Sequence, residues 1–201
     1  MIPIALASED VLSETVGQRL LAELGADMEA QVLLRRDGFG YLRSRMTPWC
    51  RMAQHHAVVI LTDLDRAACP STLLDEWFGV LFRPPNLLLR VAVRELESWL
   101  LADHQAMRAL IGKGGVLPVQ PDLLVDSKQH LLGLARHARR EVRLDLVKEI
   151  GVVARQGIGY NARLGDLVRH KWSPARAAQR SPSLARARLR LSELAHRLHQ
   201  I

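Results

Sequence analysis

The stretch Ala57-Val58-Val59-Ile60-Leu61-Thr62-Asp63-Leu64-Asp65 decides how this chain is read. Five apolar residues run straight into an Asp-x-Asp pair. A short, continuous, β-branched run of this kind predicts a buried strand of a parallel sheet. Ligands of open α/β sheets sit at the carboxyl ends of such strands, where both aspartates fall. Residues two apart on an extended segment point to the same side, so the two carboxylates are expected to converge. Two carboxylates about 4 Å apart repel by about 4 kcal/mol at an effective dielectric of 20. A divalent cation or a shared proton offsets that repulsion. The structural alternative is that Asp63 or Asp65 caps the next helix or shapes a turn.

Length and composition set the frame. The chain has 201 residues, 48% of them apolar, enough for one large domain or two small ones. No apolar run reaches the length of a membrane span. Met1-Ile2-Pro3-Ile4-Ala5 enters a strand-like run without a basic region or a cleavage site, so a secretory signal is not expected. Cys50 and Cys69 lack a Cys-x-x-Cys spacing and are expected to be reduced residues of a cytoplasmic protein. The net charge is +7 and is unevenly spread. Residues 1–104 hold 10 Lys/Arg against 14 Asp/Glu, whereas residues 105–201 hold 18 against 7. An acidic half before a basic half suggests an acidic site beside a surface that attracts polyanions, although an arginine-rich composition alone gives the same sum.

Working outward, Ile2 to Ala7 reads as a first strand with Ser8-Glu9-Asp10 at its carboxyl end. Ser13 is the expected N-cap of the next helix, whose apolar face carries Val16, Leu20, Leu21 and Leu24. Gln31 to Leu34 is a second apolar run, closed by a βα turn over Arg35 to Gly40 that has no P-loop lysine. Tyr41 to Gln54 is expected to be helical, interrupted near Pro48. Pro70-Ser71 opens a helix running to Trp77, and Leu87 to Val93 forms a fourth strand-like run. Arg94 to Asp103 then reads as a helix with Glu95 and Glu97 in its first turn, where the macrodipole favours acids. On a helix these two diverge by about 200°, so at most one faces a shared site.

The β-α alternation ends near residue 104. Gly112-Lys113-Gly114-Gly115 with Pro118 and Pro121 reads as a linker. Helices are expected over Ser127 to Arg140, after Gly157-Ile158-Gly159, and from Ser181-Pro182-Ser183 onward. Arg186, Arg188, Arg190 and Arg197 lie along the last of these, a pattern shared by solvated faces and binding stripes. The organisation expected is an α/β domain over 1–104 with a mostly parallel four-stranded sheet. A basic α-helical region over 105–201 follows it.

Glu9/Asp10, Asp63/Asp65 and Glu95/Glu97 stand at the ends of three strand-like runs, which parallel pairing brings to one edge. Hard oxygen donors without a cysteine or histidine motif select Mg²⁺ or Mn²⁺ over zinc. A Glu after the first strand, an Asp-x-Asp after a later one and a further acidic helix make the chain resemble a Toprim-like, Rossmann-like domain. Leu61 to Asp65 and Val93 to Asp103 are similar to a bacterial branch of that fold. That branch is akin to the nuclease halves of OLD-type proteins and to small phage-defence proteins. The resemblance covers roughly residues 1–105.

Carried over, it implies that Glu9 is a metal ligand or general base and that Asp63 and Asp65 are paired metal ligands. Glu97 matches the later acidic ligand, with Glu95 as its fallback. A catalytic lysine, implied by the OLD-type likeness, matches no motif position, and Lys128 is a weak candidate. The chain departs from the pattern where Asp10 takes the place of a Toprim glycine. The implied function is Mg²⁺-dependent hydrolysis of DNA or RNA, in phage defence alongside a partner ATPase. The alternative is a non-catalytic subunit that binds nucleic acid or a nucleotide through a degenerate Toprim-like site. No membrane partner is expected.

Overall fold

The computed structural model describes residues 3–35, 40–150 and 153–200. Most of the expected turn over Arg35 to Gly40 therefore lies outside the described residues. By contacts the chain forms two compact units, residues 1–92 with 186–201, and residues 93–185. The sequence reading put its boundary near residue 104 instead.

The first unit alternates strands and helices: β1 (Ile4–Ser8), α1 (Val11–Ala22), β2 (Val32–Arg35), α2 (Tyr41–Ser44), α3 (Met46–Met52), β3 (Ala57–Asp63), α4 (Pro70–Phe78) and β4 (Leu87–Ala92). The four strands make one all-parallel sheet in the order β2-β1-β3-β4. This is an α/β architecture compatible with a Rossmann-like fold. Every residue of β1 and the first six of β3 are buried, as inner strands covered on both faces must be. The outer strands β2 and β4 alternate in burial along most of their length, so only the inner runs read as unbroken apolar sequence.

Local chemistry corrects the element ends. The N-cap of α1 is Asp10, not Ser13: the Asp10 carboxylate accepts the Ser13 N–H at 2.7 Å. Gly17 lets α1 lie close on the sheet, because a Cβ there would stand 2.8 Å from a Leu6 methyl. The helical stretch after Gly40 breaks at Arg45, between α2 and α3, and not at Pro48. Pro48 falls in the first turn of α3, where the N–H it lacks has no helical partner.

The second unit contains α5 (Glu97–Ala102), α6 (His104–Ile111), α7 (Ser127–Ala135), α8 (Arg140–Leu146), β5 (Val147–Ile150), β6 (Val153–Gln156), α9 (Tyr160–His170) and α10 (Pro174–Ala177). Strands β5 and β6 pair antiparallel, so the stretch expected to be helical also carries a hairpin. At four residues each, these strands are too short to show a period of two. Helix α5 is the core of this unit, with all six of its residues buried. Trp172 donates its indole N–H to the Trp99 carbonyl at 3.1 Å. Buried Asp103 accepts from the backbone of Ala106 and Ser173 and from two nitrogens of the Arg176 guanidinium.

The last helix, α11 (Pro182–His199), begins in the second unit and contributes its residues from Arg186 onward to the first. There Arg188 pairs with Glu23 at 3.0 Å, and Arg197 donates to the Pro85 carbonyl at 2.9 Å. Among the described residues no helix is long and apolar enough to cross a membrane.

Candidate functional site

The strand order places the first acidic cluster. From β1 the chain moves outward to β2, then returns to place β3 on the other side of β1. The connections that follow β1 and β3 run in opposite directions, and it is at such a switch point, outside the carboxyl ends of the strands, that open α/β sheets take ligands. Glu9 directly follows β1, and Asp63 is the last residue of β3. Because Ser8 is in register with Leu61, Glu9 comes opposite Thr62. The Thr62 hydroxyl donates to Glu9 Oε1 at 2.6 Å.

Burial pushes the Glu9 proton affinity above the usual carboxylate value, and the charges of Asp65 and Asp10 push it further. The Thr62 hydrogen bond acts in the opposite direction by stabilising the ionised form. Glu9 is thus a half-buried acid in a negative environment, where added positive charge is favoured.

Asp63 and Asp65 are not two positions on one extended face. Strand β3 stops at Asp63, and Leu64 turns inward, its N–H donating to the Ala92 carbonyl at 2.9 Å. Asp65 is exposed and adopts φ 48°, the left-handed region that Asp tolerates better than most residues. Strand alternation therefore does not direct the Asp65 carboxylate. Its charge acts on Glu9.

The third acidic pair lies in the second unit. Glu95 precedes α5 and caps a different helix, its Oε2 accepting the Lys128 backbone N–H of α7 at 2.8 Å. Burial raises its proton affinity, and the Glu97 charge adds to that. Glu97 is the first residue of α5 and is only 4% exposed. Its Oε1 accepts the Tyr160 hydroxyl at 2.7 Å and lies 3.6 Å from the Lys128 ammonium. That ammonium sits 5.8 Å from the centre of the Tyr160 ring. Glu97, Lys128 and Tyr160 thus form one ionic cluster, and the roles of the two glutamates differ.

The structure brings Glu9 and Asp65 into electrostatic contact and places Asp63 at the same strand ends; Glu97 keeps company with Lys128 and Tyr160. Among the described residues, no group of three or more His, Cys, Asp or Glu side chains is gathered as a metal-holding set. In donor chemistry, Glu9, Asp63 and Asp65 suit a hard divalent cation, since all offer oxygen and Glu9 sits in a negative field. Sequence reasoning passed over Thr62 and Tyr160. Thr62 was legible as the residue before the Asp-x-Asp, whereas nothing local marks Tyr160. Comparison with family models, curated proteins and solved structures finds no match for this chain.

Proposed function

We propose that the chain is a Mg²⁺- or Mn²⁺-dependent nuclease that hydrolyses phosphodiesters of DNA or RNA on a Toprim-like domain. The observation that supports this most is Glu9, a half-buried carboxylate at the carboxyl ends of β1 and β3, subject to the charge of Asp65 and held by Thr62. With Glu9 as a further ligand or as the general base, Asp63 and Asp65 would hold the cation. When bound, it supplies charge for the phosphate oxygens and lowers the pKa of water. As the base, Glu9 would take a proton from the attacking water, and the Thr62 hydroxyl, which favours its ionised form against burial, holds the carboxylate. In the second unit, Glu97 is the residue that the resemblance marks as a further acidic ligand, and Tyr160 and Lys128 hold it there. By resemblance alone, the proposal extends to a role in phage defence alongside a partner ATPase.

A second reading, a non-catalytic subunit that binds nucleic acid or a nucleotide, draws on Asp10. Its carboxylate stands where a Toprim glycine is expected and is engaged in capping α1.

The deciding assay uses the purified full chain on single- and double-stranded DNA and RNA, with and without Mg²⁺ or Mn²⁺. Glu9→Gln should lower metal-dependent cleavage at least about a hundredfold, the scale of losing a general base, while binding persists. A wild type that binds but never cleaves, alone or with its partner ATPase, establishes the second reading instead. Cleavage identical in wild type and Glu9→Gln marks a contaminant and removes the support for the enzyme.

A further inference from the structure

Arg90 of β4 is half-buried and sits between Leu89 and Val91. Its Nε donates to the neighbouring Leu89 carbonyl at 2.6 Å. Among the described residues, no carboxylate lies within ion-pair distance of its guanidinium. The residues that face it from α11 are Arg186, Arg190 and Glu193. Their spacing of four and then three places them on one side of that helix. Arg186 and Arg190 are exposed. Glu193 is the carboxylate of α11 that acts on Arg90, and it is already bonded to Arg190 at 2.7 Å.

Other α11 arginines differ in that they are docked, Arg188 on Glu23 and Arg197 on the Pro85 carbonyl. Burial lowers the proton affinity of Arg90, and the charges of Arg190 and Arg186 lower it further. A guanidinium in that setting stays charged across the accessible pH range, so a bound anion and not titration would relieve the crowding. The planar fork of donors on each arginine matches tetrahedral oxyanions.

We propose that Arg90, Arg186 and Arg190 form a phosphate-binding site on the first unit, taking one phosphate group across β4 and α11. This goes beyond the nuclease reading and needs no hydrolysis at Glu9. The phosphate group has two sources, a nucleic-acid backbone or free phosphate, and the arms of the test separate them.

The test uses the full chain, with Arg90→Met and Arg186→Gln as variants. Melting temperature is followed as inorganic phosphate is added to a phosphate-free buffer. Anisotropy of a fluorescein-labelled 20-nucleotide DNA is followed across a salt series. In the absence of phosphate, Arg90→Met should melt no lower than wild type, because it removes a half-buried charge that no carboxylate among the described residues pairs with directly. A free-phosphate site predicts that phosphate raises the melting temperature of wild type and not of Arg90→Met, with a smaller rise for Arg186→Gln. A backbone site predicts about tenfold weaker DNA binding for each variant and a salt slope flatter by about one unit, the size of one lost phosphate contact. Either pattern supports the site and names its source. Wild-type behaviour of both variants in both arms overturns it. Since Arg186 is exposed, Arg186→Gln decides the matter even if Arg90→Met fails to fold. Loss of this binding leaves cleavage at Glu9 separately measurable, so the two proposals fail independently.

Discussion

Thr62 donates a 2.6 Å hydrogen bond to Glu9 across 53 residues of sequence, joining the ends of the two inner strands. Burial favours the neutral form of Glu9, so its contribution to stability is present at low pH and is lost as pH rises through its elevated pKa. Thr62 works against that by favouring the carboxylate.

Mn²⁺ should raise the melting temperature of wild type, as any ligand specific to the folded state does. Asp63→Ala/Asp65→Ala should show no such rise. Thr62→Val should weaken Mn²⁺ binding about tenfold, the lower end for losing a partner of a ligating carboxylate. Because protons compete for Glu9, Mn²⁺ affinity should climb with pH. Equal calorimetric uptake by wild type and the double variant would take the metal away from Asp63 and Asp65.

The Tyr160 hydroxyl serves a buried, charged acceptor in Glu97. Tyr160→Phe should therefore destabilise the protein by about 2 kcal/mol, the range for a hydrogen bond to a charged group. In a Glu97→Gln background the same change should cost about 1 kcal/mol, because that bond is neutral. Urea denaturation of the four proteins of this cycle measures both values. Identical costs in the two backgrounds would mean that the bond carries no charge assistance.

Asp103 is fully buried and binds Arg176 through both carboxylate oxygens. Arg176→Ala leaves that carboxylate with backbone donors alone and should cost about 2–4 kcal/mol, the lower figure reflecting the partial exposure of Arg176. Thermal unfolding checks it, and a loss under about 0.5 kcal/mol, the range of an ordinary surface change, speaks against the pair as a core element.

His199 pairs with Asp27 within the first unit. Hydrogen bonding to Asp27 raises the pKa of His199 above 6.5, and the same bond lowers that of Asp27 below 3.8. The histidine contribution is complete below about pH 6.5 and disappears as pH rises through its elevated value. The aspartate contribution is present above about pH 3.8 and is lost as pH falls through its depressed value. The difference in melting temperature between wild type and His199→Gln should therefore peak between these limits and vanish in alkali. A difference independent of pH would show that the contact is not ionic.

Much of the first unit was legible in sequence, because parallel inner strands write themselves as unbroken apolar runs. Ala57 to Leu61 marked β3, and the acids at its end marked the sheet edge that carries Glu9 and Asp63. Edge strands and caps were less legible. Asp10 and Ser13 are both good capping residues, and the choice between them depended on where β1 released the chain.

The sequence by itself determined the strand-helix alternation, the buried strands and the acidic residues at their ends, since these follow from local periodicity and charge. Only the tertiary structure decided what each acid does. Glu95 and Glu97 are two residues apart, yet one caps α7 and the other is held by Tyr160, 63 residues away. Asp65 left the strand geometry that its spacing from Asp63 suggested, because β3 ended two residues earlier. The run holding Arg186 and Arg190 fits a solvated face as well as a binding stripe, and only the fold brings Arg90 of β4 under the influence of their charges. In each case the deciding energy is a contact between groups far apart in the chain, and local sequence carries no record of its partner.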